Sequence, residues 1–131
     1  MKYPLTALLL AVALPLVACS SFEAVNGNLS GTARKLGDLE GIERIDGEVH
    51  FDDSGLAVYQ VTLMNEDSDE AWVEYIAHWY DEVGIKVNNP TRHWRKVNIQ
   101  PGSHLPLRSV APSMKAVHCE IQIREPRNSA Q

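Results

Sequence analysis

From about Ile45 onward, apolar and polar residues alternate with a period of two, the spacing at which side chains point to opposite faces of a sheet. Val49 and Phe51 alternate with Glu48 and His50. Tyr59, Val61 and Leu63 alternate with Val58, Gln60, Thr62 and Met64, in a strand that ends at the polar turn Asn65–Glu70. In the following run, Ala71–Tyr80, the residues Val73, Tyr75, Ala77 and Trp79 share one face, opposite Glu74, Ile76 and His78. Its β-branched and aromatic content favours a strand. Asp81-Glu82-Val83-Gly84 predicts a reversal into Ile85-Lys86-Val87, which Asn88-Asn89-Pro90 stops. Trp94, Val97 and Ile99 predict a further strand, closed by Pro101-Gly102. Leu105 and Leu107 predict one that Pro106 confines to an edge or bulge. Val117, Cys119, Ile121 and Ile123 give the cleanest alternation, ended by Pro126.

About seven short strands with turn residues between them and almost no helix predict an all-β fold, a two-sheet β-sandwich over residues 45–126. The runs 57–64 and 71–80 are expected to pair as a hairpin, with Trp79 in the inter-sheet core. Large aromatics bury about 150–250 Å² each, at about 25 cal/mol per Å², so this apolar face supplies the main stabilising contribution.

Residues 19–44 read differently. They are rich in Ser, Asn, Gly and charge, and they predict a flexible tether with turns at Asn26-Gly27-Asn28 and Ser30-Gly31. Thr32–Leu39 offers at most a short helix, weakened by Gly37. Residues 127–131 are expected to form a disordered tail. At the start of the chain, Lys2, the apolar stretch Leu5–Val17 and the closing Leu16-Val17-Ala18-Cys19 resemble the lipobox of a bacterial lipoprotein signal. The stretch is shorter than the about 20 apolar residues a membrane helix requires. The resemblance implies cleavage of residues 1–18 as a signal peptide and acylation of Cys19. Several acyl chains would anchor the protein stably where one would not. Ser20 stands where lipoproteins retained at the inner membrane carry Asp. The resemblance therefore implies the outer membrane of a Gram-negative bacterium, with the domain facing the periplasm.

Removing residues 1–18 from 131 leaves 113, enough for one small domain. The formal net charge of −5, or −6 once Lys2 is gone, argues against nucleic acid as a partner. Cys119 would be the only unmodified thiol, so no internal disulfide is expected, and its place in an apolar strand predicts a small buried hydrophobe.

The segments Leu63-Met64-Asn65-Glu66, Val73-Glu74-Tyr75, Trp79-Tyr80-Asp81-Glu82-Val83-Gly84 and Val97-Asn98-Ile99-Gln100-Pro101-Gly102-Ser103 resemble the YcfL-like lipoproteins of Gram-negative bacteria. The resemblance covers about residues 56–124 together with the lipobox. It implies an immunoglobulin-like sandwich on an envelope lipoprotein, with no catalytic residues to carry over. The turn after Trp79-Tyr80 also has a physical basis, because Asp81 can cap the following backbone and Gly84 can take a positive φ.

Candidate chemistry is sparse. Five histidines, at 50, 78, 93, 104 and 118, form no HExxH or His-x-His pattern, so neither a metal nor a cofactor is expected. Ser54 and Ser103 lie in turns without a nucleophile elbow, and no catalytic residues are expected. One basic cluster stands out in the acidic chain. It comprises Arg92, Trp94, Arg95 and Lys96 with His93, extended by Arg108 and Lys115. Guanidinium groups suit phosphate and carboxylate, so the cluster is a candidate surface for a partner or an anion. A charged edge that prevents sheet-to-sheet aggregation would use the same residues. Trp72, Ile76 and Tyr80 form a candidate apolar surface, to be covered by the other sheet, the tether or a partner. The function expected is that of a non-enzymatic module, joined to the membrane by its lipid anchor, for interaction or assembly of envelope proteins. The alternatives are a lipoprotein binding a glycan, anionic polymer or small molecule, and an accessory component of a secretion machine.

Overall fold

The computed structural model describes residues 21–127. Eight strands follow one another: β1 (Ser21–Asn26), β2 (Leu29–Lys35), β3 (Ile42–Phe51), β4 (Ala57–Asn65), β5 (Ala71–Tyr80), β6 (Arg95–Ile99), β7 (His104–Val110) and β8 (His118–Arg124). They form a five-stranded sheet, β1-β2-β8-β5-β6, packed on a three-stranded sheet, β3-β4-β7. This is the expected all-β sandwich, with six strands where seven are expected and two further strands, β1 and β2, ahead of them. Every pairing is antiparallel except that of β2 with β8.

The period-two faces meet between the sheets. Tyr59, Val61, Leu63 and Leu107 project from the smaller sheet towards Ala33, Val73, Trp79, Ile99, Ile121 and Ile123 of the larger, all buried in one cluster. Cys119 is buried among them as a free thiol, and burial raises its pKa well above the ordinary value. Trp79 spans the gap, its Nε1–H donating to Ser109 Oγ of β7 at 2.9 Å. Tyr59 spans it elsewhere, its ring lying on Gly31 of β2 so closely that a Cβ there would overlap it. Pro106 sits on an edge strand, as its missing N–H requires.

The expected hairpin of 57–64 with 71–80 does not form: β4 and β5 lie in opposite sheets. Each strand has one strongly apolar face, and stacking those faces buries both, whereas side-by-side pairing would leave both needing a second layer. Asn65 fixes the crossing. It is fully buried, its Nδ2 donates to Asp69 O (2.8 Å) and Ile99 O (2.9 Å), and its Oδ1 accepts from Asp67 N–H (3.0 Å). Both amide hydrogens and the amide oxygen that burial removes from water thereby find partners within the protein.

The tether expected over 19–44 is also corrected, because β1 and β2 form a hairpin in the larger sheet and β3 begins at Ile42. Gly27, at φ 59°, makes the turn. Leu29, Gly31 and Ala33 alternate inward, so Gly31, which reads as a turn residue, is the small residue that the close approach of Tyr59 requires. No helix forms over Thr32–Leu39. Ile85–Val87 is not a strand, and only an isolated bridge joins Lys86 to Tyr80. Cys19, the rest of the lipobox and signal, and residues 128–131 lie outside the described residues.

One edge of the sandwich is closed by side chains reaching from sheet to sheet. Asn26 Nδ2 donates to Val49 O at 3.1 Å and Lys35 Nζ to Ile42 O at 3.0 Å, and Arg44 reaches back to the Ala33 carbonyl. At the opposite edge Trp79 reaches Ser109 of β7 and Asn65 reaches Ile99 of β6, but no side-chain hydrogen bond joins β6 to β7 among the described residues.

Gly31→Ala is expected to destabilise the protein by about 1–3 kcal/mol through overpacking against Tyr59. Tyr59→Phe removes a buried hydroxyl that has no partner, and it should leave stability equal or higher. Urea denaturation of both variants checks the pair, and a neutral Gly31→Ala would contradict the contact.

Candidate functional site

The open edge originates in strand length. β6 has five residues and its pairing with β5 ends at Tyr75–Arg95, whereas β5 runs on to Tyr80. The next bond on that side of β5 is from Val87 N–H to Trp79 O, at 2.8 Å. In a strand, alternate residues turn their backbone groups to the same side. Ala77, between Tyr75 and Trp79, therefore turns its N–H and C=O towards a side where no strand lies. A cleft of about 320 Å³ opens there, bounded by β5, the 87–94 connection and β7.

Arg92, Arg95 and Arg108 line this cleft. None of them forms an ion pair, because the described residues contain only Arg124–Glu74 and His50–Glu48. Asp52, whose pKa is lowered mainly by hydrogen bonds from Ser54 and Leu56 and least by Arg108, is occupied in its own turn. Its Oδ1 accepts from the Ser54 hydroxyl, the largest cause of the lowering, and from Leu56 N–H at 3.0 Å. On the rim, Asn89 Oδ1 accepts from the Thr91 N–H (3.1 Å) and hydroxyl (2.8 Å). His93 Nδ1 lies 2.7 Å from Thr91 O, which fixes the proton on Nδ1 and leaves Nε2 free.

The pleat divides the basic cluster that is contiguous in sequence. Arg95 shares the inward side of β6 with Val97 and Ile99, at the mouth between the sheets. Trp94 and Lys96 belong to the outer face, where the Arg124 guanidinium lies 3.5 Å from the Trp94 ring centroid and Lys96 Nζ 5.0 Å from that of Trp72. Arg124 also holds Glu74, through Nε at 3.0 Å and Nη2 at 2.9 Å. Arg108, thirteen positions after Arg95, joins the cleft from the other sheet. Lys115 lies elsewhere, beside Glu82 and Met114.

The candidate apolar surface is largely covered. Trp72 is 48% exposed but Ile76 only 8%, and Tyr80 is half-buried. The 87–94 connection folds back over this part of β5, so that Asn89, Thr91 and Arg92 share the cleft with Ile76. Among the histidines, His118 Nδ1 lies 2.7 Å from Ser30 Oγ and His50 is with Glu48, and no group of potential metal ligands occurs among the described residues. His78 has a buried Nδ1 without a partner. Burial, then Lys86 and Arg92, lowers its pKa from 6.5, against smaller opposing effects of Gln122 and Glu120.

Residues 45–125 match the family described as "Protein of unknown function (DUF1425)", and the chain belongs to that family. Its fold is similar to the crystal structure of Campylobacter jejuni cj0090, with a TM-score of 0.63 and 17% identity over 72% of this chain and 97% of that one. It is also similar to a DUF1425 family member from Shewanella sp. pv-4, with a TM-score of 0.62 and 16% identity over 86% of this chain and 94% of that one. The 86% is more than residues 45–131 can supply, so the Shewanella match takes in the N-terminal strands. No curated protein matches the chain significantly.

His78 gives the fold a pH dependence whose sign follows from its lowered pKa. Below the unfolded value of 6.5 the unfolded chain takes a proton that the folded one refuses until its own lower pKa is reached, so stability falls as pH drops through this window. Between about pH 7.5 and 5.5 the wild type should lose more stability in urea titrations than His78→Gln. Equal losses would place the titration elsewhere.

Proposed function

We propose that this DUF1425 protein is a non-enzymatic, lipid-anchored module of the outer membrane that recognises anionic partners in the cell envelope through its open β6–β7 edge. One observation carries the reading: Arg92, Arg95 and Arg108 line a single cleft without a carboxylate partner, in a chain whose net charge is −5. In a predominantly acidic protein, unpaired guanidinium groups gathered from β6, β7 and the 87–94 connection concentrate positive potential where the remaining surface repels anions. Direct readout at such an edge needs no moving part, because the strands that present the side chains are held by the core.

The lipobox Leu16–Cys19 and the likeness to YcfL-like lipoproteins support the anchor. Cys19 stands two positions before the start of β1, so an acylated Cys19 would hold the sandwich close to the bilayer. The edge would then face other components of the same membrane or its periplasmic surroundings.

A photo-crosslinking residue at Thr91, on the cleft rim, is expected to capture a discrete envelope partner in intact cells, and one at the exposed Glu48 of the other sheet is not. Arg92→Glu with Arg95→Glu should abolish the crosslink, and replacing residues 1–19 by a cleavable secretory signal without a lipobox should move the protein from the membrane to the soluble fraction. Identical labelling from both positions, or a crosslink indifferent to the arginines, contradicts the reading.

A further inference from the structure

We propose that the cleft between β5, β6 and β7 is a binding site for a phosphate group, a step that rests on the reading of this edge as the recognition surface. Charge and valence select the ligand. Three guanidinium groups that form no ion pair call for more negative charge than the single charge and two oxygens of a carboxylate. A phosphomonoester carries about −1.5 to −2 at neutral pH and three strong acceptor oxygens. Each guanidinium presents a planar fork that can engage two of those oxygens at once, which the point charge of a lysine cannot do. The cleft gathers arginines, and Lys96 beside them in sequence is directed to Trp72 on the outer face.

The remaining lining is consistent with an oxyanion. The Ala77 N–H faces the cleft side of β5 with no strand opposite it, an additional donor of the kind that cradles phosphate. Asn89 commits its Oδ1 to Thr91, so the group it has left to offer is the Nδ2 donor. No carboxylate lines the cleft. Its volume of about 320 Å³ admits a phosphate with the sugar or head group that bears it. By contrast, the larger hollow of about 680 Å³ at the far end of β5 is lined by Asp38, Glu40 and Glu125, whose charges repel such a ligand.

The shared chemistry is the phosphomonoester, and its source is either a soluble phosphorylated molecule or a phospholipid whose head group ends in a monoester. The test uses the full-length protein, extracted in nonionic detergent, with calorimetric titration of inorganic phosphate, glucose 6-phosphate and succinate, and of the short-chain lipid dihexanoyl phosphatidic acid against dihexanoyl phosphatidylcholine. Saturable binding of glucose 6-phosphate at least tenfold tighter than succinate, weakened at least tenfold by Arg95→Gln and by Arg108→Gln but not by Lys96→Gln, supports a soluble source. Binding selective for dihexanoyl phosphatidic acid with the same arginine dependence supports the head group. Both arginines are exposed, and unchanged melting temperatures verify the fold of the variants. Succinate binding as tightly as the phosphates, phosphate binding indifferent to Arg95 and Arg108, or no binding in either arm overturns the proposal. A Thr91 crosslink that persists in those cases leaves the edge as a protein-binding surface and removes only the phosphate.

Discussion

A ring lying on a bare backbone sets the spacing of this sandwich. Tyr59 reaches from the small sheet to Gly31 of the large one, and only the missing side chain at Gly31 allows the approach. Trp79 makes the reciprocal crossing from the large sheet to Ser109. Between them these two aromatics hold β2 and β5 against β4 and β7, and the aliphatic residues fill the layer so defined. Because the core holds no disulfide among the described residues, this packing must position every element that presents a side chain to solvent.

The two long edges solve the exposed-strand problem in different ways. On one, Asn26, Lys35 and Arg44 reach carbonyls of the opposing sheet and close the gap with polar bonds. On the other, β6 stops short and charged side chains occupy the opening. Both arrangements resist the pairing of a second chain onto a free edge. Only the second leaves cationic groups unsatisfied, and so only there does protection from aggregation coincide with a capacity to bind. That attraction weakens with salt, since Arg95 and Arg108 are exposed and mobile ions screen exposed charge.

β4, β5 and β8 were legible in the chain because large apolar residues alternate there without interruption. The Asp81–Gly84 reversal was legible too: Asp81 Oδ1 accepts from Val83 N–H (3.0 Å) and Ile85 N–H (2.9 Å), and Gly84 takes φ 86°. β1 and β2 were hidden, since Gly31 and Ala33 count as core only when the residue opposite is known. Which strands pair side by side and which face each other is equally invisible to alternation, as the separation of β4 from β5 shows. Arg95 and Lys96 read as one patch until the pleat sends them apart, while Arg108 lies beyond a turn. The segments resembling YcfL-like lipoproteins fall largely on scaffold. Asn65 N–H donates to Ser103 O at 3.1 Å and Gly102 N–H to Asn65 O at 2.8 Å, so two of those segments hold each other rather than a ligand.

The parallel pairing of β2 with β8 joins residues 88 positions apart, as Ser30 and His118 illustrate. During synthesis the first hairpin emerges long before the strand it must lie beside, and without β8 it has no link to β5 and β6. Contacts of such sequence separation form late and slow the folding reaction. The larger sheet therefore stays divided until β8 has been made, and β1 and β2 must wait as a two-stranded ribbon whose inner edge has nothing beside it.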